Sequence, residues 1–214
     1  MPDSTARFKL VETGETVYHF MGTSTFSQYT VLPEVSLVKI NKEAPLDKVC
    51  LLGCGITTGY GAVINTLKVE KGASILVIGL GGVGLAAIMG AVKVGASRII
   101  GVDINSGKFA KATEFGCTDC INPMEHQGKS LPDIIFEMTD GLGVDYSIEC
   151  VGTPFTMKQA FECTKPNGGC SCIIGVAASG QFIEISAKEL YAREWTGSAF
   201  GGAKSKDDVP KYVD

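Results

Sequence analysis

Strand-like apolar runs alternate with helix-like stretches along most of this chain. From Ser74 onward, Ser74–Ile78, Arg98–Val102, Asp119–Ile121, Val144–Glu149, Cys170–Ile174 and Glu194–Ser198 read as strands. Leu85–Val94, Lys108–Phe115 and Thr156–Cys163 read as helices between them. Six strands joined by crossovers fit two βαβαβ halves, and such crossovers are right-handed. The predicted architecture is α/β, a six-stranded doubly wound parallel sheet. Residues 1–48 have a different texture. Phe8–Glu12, Thr16–Phe20, Thr25–Leu32 and Ser36–Ile40 are rich in Val, Thr, Phe and Tyr, with turn residues between them, so they read as β. From Asp47 the pattern turns helical. The expected division is a β-rich remnant over 1–50 and a nucleotide-type domain over 51–214. Both ends read as cut. The opening has too few strands to close a core, and the chain stops at Asp214 barely two turns after a cap at Ser205.

One junction in this pattern carries chemistry. The run Ser74–Ile78 leads directly into Gly79-Leu80-Gly81-Gly82-Val83-Gly84, which reads G-x-G-x-x-G and opens a helix ending before Gly95. The next apolar run ends in Asp103, nineteen residues after Gly84. Strand, glycine loop, helix and acid together form the dinucleotide-binding fingerprint. Gly79 permits the tight turn, Gly81 lets the backbone approach a pyrophosphate, and Gly84 lets helix and strand pack closely. The helix N-terminus offers free N–H groups and the positive end of its dipole. Asp103 stands where a carboxylate accepts from ribose hydroxyls and repels a 2′-phosphate, so NAD is favoured over NADP.

Composition narrows the picture without changing it. With 214 residues, 45% hydrophobic and 20% charged, the chain can bury a sizeable core. A net charge of −4 with no long basic run does not indicate nucleic acid or a membrane surface as partner. No apolar run is long enough to span a membrane, and the first residues have no secretory pattern. Eight cysteines in that context lead to the expectation of a reducing, cytoplasmic setting.

The cysteines read mostly as packing thiols. Cys117-Thr118-Asp119-Cys120 is one C-x-x-C with no second pair, so two structural thiols are the simpler reading. Cys54 lies in Gly53-Cys54-Gly55-Ile56-Thr57-Thr58-Gly59-Tyr60-Gly61, a glycine-bared stretch ahead of a helix. Spacing alone favours a structural thiol there too. His19 and His126 fit hydrogen-bonded or surface roles.

Several longer motifs resemble zinc-dependent medium-chain alcohol dehydrogenases. These are GTSTFSQYTV (22–31), APLDKVCLLGCGITTGYGAV (44–63), GLGGVGLAAIMG (79–90) and GASRIIGVDIN (95–105). EMTDG (137–141), VDYSIEC (144–150) and GVAASG (175–180) look most like the class III branch, the glutathione-dependent formaldehyde dehydrogenases. The resemblance implies a GroES-like catalytic domain of which 1–50 is a remnant. It implies that Cys54 is one ligand of a catalytic zinc, that Thr58 packs beside the nicotinamide and that Phe20 lines the substrate pocket. By the same resemblance, Gly79, Leu80, Gly81, Gly82, Val83 and Gly84 hold the pyrophosphate, and Asp103 and Lys108 meet the adenosine ribose. Val151, Ile174, Gly175 and Val176 border the nicotinamide half, although the three aliphatic ones would serve equally as core. Ser198, Ala199 and Phe200 offer backbone groups to the carboxamide.

The departures from the family pattern matter as much. Its other zinc ligands, proton-relay residues, structural zinc lobe and glutathione-binding arginine have no counterpart here. Its Trp-Lys-Gly appears as Trp195-Thr196-Gly197. The implied reading is the NAD-binding portion of an enzyme oxidising S-(hydroxymethyl)glutathione and primary alcohols. By itself the chain is expected to be inactive, with a homodimer formed through the edge strand at Glu194–Phe200. The alternative is a non-catalytic NAD-binding or dimerisation module.

Overall fold

The computed structural model describes residues 5–20 and 25–214. Gly22, Thr23 and Ser24 of the 22–31 motif lie outside them. Two short antiparallel strands, β1 (Phe8–Lys9) and β2 (Thr16–Val17), come first. Helices α1 (Leu46–Val49) and α2 (Gly55–Gly61) follow, and α2 continues as a π-helical turn over Ala62–Thr66. Then come β3 (Ser74–Ile78), α3 (Gly82–Val94), β4 (Arg98–Val102), α4 (Phe109–Glu114), β5 (Asp119–Ile121), α5 (Leu131–Met138) and β6 (Tyr146–Glu149). The chain ends with α6 (Pro154–Glu162), β7 (Cys170–Ile173), α7 (Ala187–Leu190), β8 (Glu194–Gly197) and α8 (Ser205–Val213).

Strands β3 to β8 form one parallel sheet in the order β5-β4-β3-β6-β7-β8. The six-stranded doubly wound sheet is as expected. Val144 falls outside β6, held by a single bridge to Thr164. The order reverses between β3 and β6, and a crevice opens at such a point because the connections leave on opposite faces. Side chains of β3 alternate between those faces. Ile75 and Val77 enter one cluster with Ala87, Ile88 and Ala91 of α3. Leu76 and Ile78 enter the other with Ile134 and Ile135 of α5. Each such buried aliphatic contributes about 1.5–3 kcal/mol. This two-sided burial explains why the strands read as unbroken apolar runs.

The helix starts and stops have local causes. Ser130 and Asp133 form a reciprocal capping box at α5. Thr153 caps α6, with Pro154 at its first position. Gly95 ends α3 in the left-handed conformation, at φ 78°. No single helix among the described residues is long and apolar enough to cross a membrane.

The β reading of 1–48 needs correction. Of the four runs, only parts of Phe8–Glu12 and Thr16–Phe20 pair: Phe8–Lys9 with Thr16–Val17, and Phe20 in an isolated bridge. Among the described residues, Thr25–Leu32 and Ser36–Ile40 contain no strand; instead a 3₁₀ turn spans Glu34–Ser36. A strand exists only where a neighbour takes its N–H and C=O groups, and no described strand pairs with these runs. Val11, Phe26, Tyr29 and Val31 are almost fully exposed.

Candidate functional site

The glycine loop leaves β3 at the switch point. Gly79 has φ 96°, which an L side chain rarely adopts, and its N–H donates to the Val102 carbonyl at 2.8 Å. Leu80 turns inward and is buried against Gly101 of β4. Gly81 and Gly82 are exposed, and a Cβ on either would meet open space. Val83 is half-buried. Gly84 is the close approach, since any Cβ there would overlap the Gly79 carbonyl oxygen. Leu85 donates to the Gly81 carbonyl at 2.9 Å, so the N–H groups just before it lie ahead of the helical ladder. An exposed backbone cradle thus sits at the positive end of α3.

Asp103 sits beside this cradle at the end of β4, only 9% exposed. Its Oδ2 accepts the Leu80 N–H at 2.9 Å and lies 2.8 Å from the Lys108 ammonium, and its Oδ1 accepts the Asn105 N–H at 2.9 Å. Burial alone would raise its pKa. The Lys108 hydrogen bond and the two backbone N–H groups outweigh burial and hold it below the usual value. An acceptor charged at neutral pH therefore stands at the loop.

A groove of about 710 Å³ runs from Gly79 and Gly81 past Asp103 and Lys108, with Cys150 and Val151 on its other side. Ile104, Pro123, Met124, Phe155 and Gln159 are among its other walls, and none of them was a site candidate in the sequence. They come from loops and helix starts remote in sequence, which no single motif marks. Phe20 is not among its walls and lies exposed.

The second half of the predicted set gathers beyond β6. Val151 is 51% and Val176 89% exposed, so neither is core, whereas Ile174 packs against the core. Thr58 lies in α2, half-buried. The Thr66 and Ser198 hydroxyls are 2.7 Å apart, and Asn65 donates to the Gly201 carbonyl at 3.0 Å. A Cβ on Gly201 would come 2.9 Å from the Thr58 carbonyl. The structure thus brings the Ser198-Ala199-Phe200 segment against the helix that carries Thr58. Phe200 has φ 52°, a strained value for a non-glycine residue, where packing against α2 and its continuation holds it.

A dinucleotide fits these residues: an open backbone cradle, a buried charged acceptor beside it and a groove that runs past both. Zinc does not fit them. Cys54 is exposed, and among the described residues no three His, Cys, Asp or Glu side chains converge to hold a metal ion. The C-x-x-C thiols lie 3.8 Å apart. Burial, then the neighbouring Cys120, pushes Cys117 up to about 12, and burial takes Cys172 to about 12 and Cys170 to about 11. Such thiols stay protonated and serve as packing.

The model of the family described as "Zinc-binding dehydrogenase" matches residues 82–214. The chain belongs to the zinc-binding dehydrogenase family. It is 52% identical over its full length to an alcohol dehydrogenase class-3 of Dictyostelium discoideum, covering 56% of that protein. It is 54% identical over its full length to an alcohol dehydrogenase class-3 of Oryza sativa subsp. japonica, covering 55% of it. The benzyl alcohol dehydrogenase of Acinetobacter calcoaceticus superposes with a TM-score of 0.84 at 33% identity, over 91% of this chain and 53% of that one. The chain spans just over half the length of the relatives it matches.

Proposed function

We propose that this chain is the NAD-binding portion of a zinc-dependent alcohol dehydrogenase. In the complete protein, S-(hydroxymethyl)glutathione and primary alcohols would be the substrates. The observation that carries the cofactor half is Asp103, a buried charged acceptor bonded to the glycine loop at the mouth of the sheet. NAD would supply hydride acceptance. The chain's own residues bind and orient it. The α3 N-terminus holds the phosphates, Asp103 accepts the ribose hydroxyls, and the Ser198–Phe200 backbone and Thr58 flank the ring. The class-3 names of the two relatives and the 175–180 motif support the substrate class. Cys54, without partner ligands among the described residues, supplies too few donors for zinc, so this chain by itself should bind the cofactor without turning substrate over.

Calorimetric titration and a hydride-transfer assay test this reading together. NADH is expected to bind at least about tenfold tighter than NADPH, with no oxidation of S-(hydroxymethyl)glutathione. Equal binding of the two cofactors, or zinc-dependent oxidation by this chain, would overturn it.

The sheet ends in β8, whose outer edge no described strand pairs. An unpaired edge readily takes a copy of itself, so Glu194–Phe200 is proposed as a homodimer seam. Light scattering at micromolar concentration should then give twice the chain mass; a monomer mass would remove the proposal.

A further inference from the structure

Glu149 is fully buried at the C-terminal end of β6, in register with Ile78 of β3 and Ile173 of β7. Its Oε1 accepts three hydrogen bonds, from the Val151 N–H at 2.8 Å, the Gly152 N–H at 2.8 Å and the Thr156 hydroxyl at 2.7 Å. Its Oε2 is buried and has no hydrogen-bond partner among the described residues. Its backbone carbonyl accepts from Ile174 at 3.0 Å and Gly175 at 2.9 Å. One residue therefore holds the turn leaving β6, the first turn of α6 and the turn leaving β7.

Packing around these bonds leaves no slack. A Cβ on Gly175 would overlap both Glu149 Oε2 and the Gly152 nitrogen, and one on Gly152 would come 2.6 Å from the Val176 carbonyl. A Cβ on Gly79 would come 2.8 Å from the Val151 side chain, so the β6 turn also abuts the glycine loop. Val151, Gly175 and Val176 thus form one wall: Gly175 and Val176 stand on the side of β3 away from Asp103, and Val151 borders the groove that also holds Asp103. A buried carboxylate with an unpaired oxygen is a poor stability device, because the desolvation of that oxygen goes uncompensated. Its distinctive property is geometric: an acceptor-only group on which two successive backbone N–H groups and a hydroxyl can converge.

We propose that Glu149 is a positioning residue that sets the β6 and β7 turns as a wall for the nicotinamide half of the dinucleotide. The proposal rests on the cofactor reading above. It predicts an asymmetry: a ligand without the nicotinamide half meets Val151 but not Gly175 and Val176, and should lose much less affinity than the whole dinucleotide.

Calorimetric titrations with NADH and with ADP, which lacks the nicotinamide half, test this. Glu149→Ala is expected to weaken NADH at least about tenfold while ADP stays within about twofold, and Glu149→Gln, whose amide oxygen keeps the acceptor, is expected to restore NADH to within about threefold. If the alanine variant does not fold, Thr156→Val removes one of the three donors; because Thr156 also borders the groove at Asp103, the readout is the ratio, with NADH expected to weaken at least about twofold more than ADP. Parallel losses of NADH and ADP would reveal a general structural role and overturn the proposal. So would unchanged NADH affinity in the folded variant, or a glutamine variant as weak as the alanine one. A wild-type chain that binds neither ligand would overturn the cofactor reading itself.

Discussion

Gly84→Ala is expected to abolish detectable NADH binding and to lower stability by about 3 kcal/mol. The added methyl has nowhere to go. It would overlap the Gly79 carbonyl oxygen, with the Val77 side chain 3.4 Å away on the adjoining strand. Both are anchored, because Gly79 is bonded to Val102 and Val77 lies in the core. Relief requires α3 to move off β3, which takes the N–H groups of its first turn out of the cradle. Loss of binding and loss of stability therefore share one cause. Urea unfolding followed by the fluorescence of Trp195, the single tryptophan, measures the second effect and calorimetry the first. Wild-type affinity in the variant would mean that the phosphates do not sit at this helix end. Gly81→Ala is the internal comparison, since its Cβ meets open space and the fold should be unaffected.

Asp103→Ala is expected to weaken NADH about 100-fold, roughly 2.7 kcal/mol, and to narrow the preference over NADPH. The change removes the acceptor for the ribose and frees the Leu80 N–H, which loosens the loop. It also releases Lys108, whose ammonium could then pair with a 2′-phosphate. Parallel titrations of the two cofactors read the ratio; an unchanged ratio would show that Asp103 does not face the ribose.

The same carboxylate predicts an acid limit. Asp103, Asp119 and Asp145 all have depressed pKa values. For Asp119 the Arg98 hydrogen bond is the main cause. For Asp145 burial acts to raise the value, and the Lys165 and Ser74 hydrogen bonds overcome it. A depressed folded value means the unfolded chain takes up protons first on acidification. Their stabilisation is thus complete above the unfolded value near about 3.9 and is lost as pH falls through the folded values. Denaturation midpoints should hold steady from neutral pH down to about 5 and drop below about 4. An unchanged midpoint at pH 3 would show that these pairs contribute nothing.

Much of this was legible in the chain because its causes are local. Period-two burial on both faces writes a strand as an apolar run, and Ser74–Ile78 and Arg98–Val102 were readable to the residue. The glycine loop and Asp103 were readable because a phosphate cradle needs bare backbone at a fixed distance from a strand end. The opening residues misled for the opposite reason. Val-, Thr- and Tyr-rich segments have strand composition, but pairing needs a neighbour that composition does not supply. Glu149 ended a predicted strand without drawing notice, since an acid in an apolar run signals burial only once its three donors are seen converging.

The sequence by itself determined the doubly wound sheet, the cradle and the acid beside it, because each depends on residues within one βαβ unit. Only the tertiary structure decided that the Ser198–Phe200 segment packs beside the helix that carries Thr58, that Cys54 gains no partner ligands among the described residues and that Glu149 ties two turns together. These depend on which strands become neighbours across the β3–β6 switch and on how α2 packs against the rest. Long-range packing decides such neighbours, and a linear pattern of side chains does not record it.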